Sequence, residues 1–143
     1  MGDNAYFWMK ALHEIVALWL AAGVFGSVVL RAYFKRSRSG GDTSDYALLS
    51  RLHTVFSVPG VILAGILGFA LLGIRKFGFD LGWVQGSLAL YLVLLVSILF
   101  IQLPALRRAR TGGAPGKLAG TLPHIDATLI VILVILMAVK PAF

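Results

Sequence analysis

Residues 53–74, HTVFSVPGVILAGILGFALLGI, run for 22 positions without an Asp, Glu, Lys or Arg. As an α-helix this run is about 33 Å long, close to the hydrocarbon thickness of a bilayer. Its residue types are sorted by position. Ser50, His53, Ser57, Gly60, Ala64 and Gly68 follow steps of three and four, so small and polar residues form one stripe. Phe56, Val58, Ile62, Leu63 and Phe69 cover much of the remainder. Small residues at that spacing let helix backbones approach closely, so the stripe is expected to face other helices rather than lipid. Pro59 cannot donate a backbone hydrogen bond and is expected to loosen the helix near Val55.

Three further apolar runs surround this one, at about 7–30, 83–106 and 122–139. The whole chain has 143 residues, 59% hydrophobic and 13% charged, against about 45–50% and 25% in ordinary soluble domains. With a mean hydropathy of +0.89, so short a chain cannot hide its apolar surface in one water-soluble core. The expected fold is all-α: a single-domain, polytopic, antiparallel bundle of four transmembrane helices. The first run is expected to remain in the mature protein, because an acidic residue precedes Lys10 and the run outlasts a signal-peptide core. Tyr6 stands where a myristoylation motif at Gly2 needs Ser or Thr. The chain has no cysteine, which excludes disulfides, thiolate metal sites and cysteine nucleophiles.

The net charge is +7. Nine of the 13 basic residues, Arg31, Lys35, Arg36, Arg38, Arg51, Arg107, Arg108, Arg110 and Lys117, fall in two connections. Lys10, Arg75, Lys76 and Lys140 lie on the other side. The positive-inside rule then puts both termini outside a bacterial plasma membrane and the basic connections 31–51 and 107–117 in the cytoplasm. The bilayer is the implied partner, with attraction to anionic headgroups. No nucleic acid is expected, since the basic stretches are short and lack the interleaved aromatics of a base-stacking platform. Residues 37–45 and 111–116 are polar and glycine-rich and are expected to be mobile loops. The glycines form no nucleotide-binding pattern. Trp8 and Trp83, with Tyr6 and Phe7, are placed as an outer aromatic belt.

Polar side chains within the runs are the stock for any chemistry, because each is costly in hydrocarbon. They are His13 and Glu14; His53, Thr54 and Ser57; Gln85, Ser87, Ser97 and Gln102; and His124, Asp126, Thr128 and Lys140. In this topology His13 lies about 6–9 Å of helix rise below the outer face, while His53 and His124 lie near the inner face. A bis-histidine haem b needs ligands at matched depth, so only His53 with His124 could supply one. Asp126 follows His124 by two residues and points about 160° away from it on a regular helix. At the outer end Lys10, His13 and Glu14 share a face. Lys10 and Glu14 stand in the less favourable order, so Glu14 can instead pair with Lys140 across the bundle. His13 and Lys140 could hold the iron and propionates of a porphyrin, or relay protons. No set of two histidines and a carboxylate shares one depth, so no dedicated metal site is expected.

The segment Trp8-Met-Lys10-Ala-Leu-His13, the opening Gly82-Trp83-Val-Gln-Gly-Ser87-Leu-Ala-Leu-Tyr91 and the close Leu136-Met137-Ala-Val-Lys140-Pro141 resemble a family of bacterial four-helix membrane proteins of unknown function. The Lys-Ala-Leu-His opening and the closing lysine also resemble, more distantly, the small membrane protoporphyrinogen oxidases of haem synthesis (the HemJ type) and the CopD copper-resistance proteins. The haem-synthesis resemblance implies that His13 is the functional histidine and Lys140 the closing lysine. The chain departs from that pattern: Trp19 stands six residues after His13 rather than seven, and the first run ends Val28-Val-Leu-Arg31 rather than Leu-Pro-Arg-Leu. The sequence shows no dense polar site. It reads first as a non-enzymatic accessory or scaffold subunit, working with other membrane subunits or as a homo-oligomer. The alternative is a haem- or porphyrin-binding membrane protein. A transporter is disfavoured, because four spans make a narrow bundle and no paired broken helices are evident.

Overall fold

In the computed structural model, which describes residues 2–37, 43–114 and 116–140, every regular element is helical. The first helix is Gly2–Arg36. The second runs from Thr43–Leu52 through a π-helical stretch, His53–Ser57, into Val58–Arg75. The third has the same build: Gly82–Val96, a π-helical stretch at Ser97–Gln102, then Leu103–Arg110. The fourth is Lys117–Val139. All four are long and apolar enough to cross a membrane.

The helices run past the apolar stretches that mark them in sequence. The second begins at Thr43, ten residues before the run 53–74, and so absorbs part of the polar stretch 37–45; residues 38–42 of that expected loop lie outside the described residues. A helix satisfies its own backbone groups, so it does not stop where hydrophobicity stops. The extension also packs: Thr43–Leu52 lies against Leu103–Arg110, and Leu49, Ser50, Ala105, Leu106 and Ala109 are buried.

The first helix closes on the second through two interlocking notches. A Cβ on Gly60 would lie 2.8 Å from Leu20 Cα, and a Cβ on Gly23 would lie 2.8 Å from the Ser57 backbone nitrogen. The expected stripe is therefore the packed face: Ser50, His53, Ser57, Gly60 and Ala64 are buried, while Ile62, Leu63 and Phe69 are exposed. Around this seam Leu20, Val24, Val61, Ala64, Leu94, Ile98, Ile130 and Leu133 draw residues from all four helices into one core. The outer surface is apolar, with Leu18 71%, Ile66 60% and Val134 58% exposed, which suits a lipid environment.

Both π-helical stretches end two residues before a proline, in Ser57-Val-Pro59-Gly60 and Gln102-Leu-Pro104-Ala105. Proline removes one i→i−4 bond and its ring crowds the carbonyl four residues back. The wider turn accommodates this by bonding i→i−5, Val58 N–H to His53 O and Leu103 N–H to Ile98 O. Val55, the residue expected to be loosened, receives a substitute donor: Trp19 Nε1 bonds its carbonyl at 3.0 Å, with the indole stacked on Phe56 at 4.5 Å. A second such bond links the second and third helices, Tyr91 donating its hydroxyl to Val61 O at 2.8 Å. Gly65 leaves the room for that phenol.

Candidate intramembrane polar site

The third and fourth helices meet at a buried carboxyl group. Asp126 is 0% exposed, and its Oδ2 accepts a hydrogen bond from Ser97 Oγ at 2.8 Å and another from Gln102 Nε2. Gln102 Nε2 also donates to Ser97 Oγ at 3.1 Å, so the three side chains form a closed triangle. Asp126 Oδ1 is buried and has no hydrogen-bond partner. His53 Nε2 donates to Ile98 O at 2.9 Å, the carbonyl of the residue after Ser97 and the same one that closes the π turn of the third helix. His53 is 1% exposed. The two π turns thus meet through one imidazole.

This cluster corrects the expectation that no dense polar site exists. Ser97 and Gln102 are five residues apart, which on an α-helix would turn them about 140° from each other. A π turn, closed by i→i−5 bonds, brings residues five apart onto one side. The sequence signal was present in Pro104, whose effect on the preceding turn is to make that widening favourable.

Of the sequence-derived site residues, His53 borders this cluster, while His13, His124 and Lys140 lie elsewhere. His124 is exposed while Asp126, two residues on, is fully buried, in keeping with the opposite faces expected of them. The pair proposed for haem, His53 with His124, is therefore divided between interior and exterior, and the His53 Nε2 is already engaged by Ile98 O. His13 is half-buried at the other end of the bundle, with its Cε1 3.5 Å from where a Cβ on Gly68 would lie. Its Nδ1 is buried without a hydrogen-bond partner. Lys140 caps the fourth helix in a left-handed conformation, φ 46°, and places Nζ 5.3 Å from the ring centre of Phe77 and 5.5 Å from that of Trp83. Arg75 stacks similarly over Tyr6 at 4.1 Å. Aromatic side chains at this end thus hold cations, beside the belt role read for Tyr6 and Trp83.

The proposed contact of Glu14 with Lys140 is not formed. Glu14 pairs with Lys10 at 3.7 Å, along the same helix. Both side chains are more than half exposed, so neither needs a partner across the bundle, and exposed pairs of this kind contribute little. Accordingly, Glu14→Gln is expected to change stability by less than about 0.5 kcal/mol in a detergent unfolding titration. A loss several times larger would restore a buried partner for Glu14.

Among the described residues no group of three His, Cys, Asp or Glu is placed to hold a metal ion. Among the described residues, two shallow apolar depressions can be noted on the outer surface. One, of about 250 Å³, is lined by Ile132, Ile135, Leu136 and Val139. The other, of about 330 Å³, lies between the third and fourth helices and reaches Ser97 and Leu122. No protein-family model, no curated protein and no solved structure matches the chain.

Proposed function

We propose that this multi-pass membrane protein is a non-enzymatic accessory or scaffold subunit. It would sit in a bacterial plasma membrane with both termini outside and the basic connections 31–51 and 107–117 in the cytoplasm. The observation that carries the reading is that side-chain hydrogen bonds tie each helix to another. Trp19, His53, Tyr91, Ser97 and Gln102 each send a hydrogen bond to a different helix. Such bonds set helix register in lipid, where apolar burial does not drive association. They favour a rigid body whose working part is its outside. The orientation rests on the nine basic residues gathered at one end.

A photo-crosslinking amino acid at Leu18, Ile66 or Val134, each exposed on a different helix, tests the scaffold reading in native membranes. The expected result is a protein adduct of one defined mass from one of these faces and lipid adducts from the others. Lipid adducts alone from all three would overturn it.

A further inference from the structure

We propose that Asp126 is a reversible proton-binding site inside the membrane, with Oδ1 as the atom that takes and releases the proton. The proposal does not depend on the scaffold reading. An ionised carboxylate in a hydrocarbon layer needs a compensating positive charge. Among the described residues the one ion pair is Lys10–Glu14, at the other end of the bundle. The first and third helices pack against the fourth. The cationic residues at the basic ends of these two helices are Arg31, Lys35 and Arg36 on the first, and Arg107, Arg108 and Arg110 on the third. The fourth itself carries His124 and Lys117, both exposed, and His53 of the second helix is bonded to Ile98 O. None of these bonds or pairs with Asp126.

The compensating charge is then a small cation, and the donor set selects the proton. Ser97 and Gln102 both aim hydrogens at Oδ2, an arrangement that repels a metal ion from that oxygen. A hard metal cation requires several oxygen ligands, whereas a proton needs only the single oxygen left open, Oδ1. The proton comes from water and returns to water, with no other bond made or broken. Its nearer exit is the basic end: Asp126 stands nine residues from Lys117 and thirteen from Val139, about 14 Å and 20 Å of helix. Pro123 lies in the turn between Asp126 and that end and weakens it.

Infrared spectroscopy of the purified full chain in lipid nanodiscs reads the site directly. The expected result is a carbonyl stretch of a protonated carboxyl group that shifts in D2O and fades as pH rises. It should be missing from Asp126→Asn, which keeps an acceptor for Ser97 and Gln102. A wild-type spectrum identical to that of Asp126→Asn across the titration would overturn the proposal, as would a band indifferent to pH and D2O. Loss of the band on adding sodium at fixed pH would also overturn it, in favour of a metal cation. Should Asp126→Asn not fold, the wild-type chain decides by itself. A lipid-soluble carbodiimide, which attacks protonated carboxyl groups, is expected to modify Asp126 at acid pH and not at alkaline pH, as mapped by mass spectrometry. Adducts confined to the other carboxyl groups would contradict the assignment.

Discussion

Gly60→Leu is expected to lower the unfolding free energy by about 3 kcal/mol, the upper end of the usual range for overpacking. The reason is the nature of the neighbour. A Cβ on Gly60 meets the Leu20 backbone at 2.8 Å, and a backbone atom has no rotamer into which it can retreat. Gly23→Leu is expected to act alike, because its neighbour is the Ser57 backbone nitrogen at 2.8 Å. Separation of the two helices would also take Trp19 from the Val55 carbonyl it serves. Gly73→Ala is the control: nothing lies within 4 Å of its added Cβ, and alanine favours a helix over glycine by up to about 1 kcal/mol. Unfolding in mixed micelles, followed by circular dichroism, separates the outcomes. Equal stabilities for Gly60→Leu and Gly73→Ala would disprove the interlocked seam.

Asp126→Ala is expected to cost about 2 kcal/mol. It strips the acceptor from Ser97 and Gln102 at once, and leaves a buried amide donor without its main partner. Asp126→Asn keeps one carbonyl oxygen that can turn toward the same donors, so its loss is expected to stay below about 1 kcal/mol. The order of the two variants is the expected signature of the lost acceptor. The same unfolding titration measures it. Equal losses would mean that the triangle does not hold the third and fourth helices together.

Much of the fold was legible because it follows from periodicity. The stripe from Ser50 to Ala64 could be read at steps of three and four, and it is buried. Pro59 identified Val55 as the carbonyl in need of a donor, but nothing in the local pattern named Trp19, 36 residues away, as the source. Helix ends were read too short, since hydropathy marks lipid contact whereas the helix at Thr43–Leu52 is held by packing on Leu103–Arg110. The candidate site was harder. Ser97, Gln102 and Asp126 stood out individually as polar residues in apolar runs, yet α-helical geometry separates the first two. Only the π turn, an irregularity with no periodic signature, brings them together. Histidine drew attention at position 124 for its chemistry. The interior position went instead to Asp126, on the opposite face of the same helix.

The central claim is a bundle of four crossings with its two basic connections on one side of a membrane. The chain has no cysteine, so a thiol introduced at Asp80 or at Ala114, both exposed, is the single reactive site in each variant. In intact cells an impermeant maleimide is expected to label Asp80→Cys and to spare Ala114→Cys until the membrane is opened. Labelling of both in sealed cells, or protection of both, would contradict the account, because two positions joined by one crossing cannot share a side.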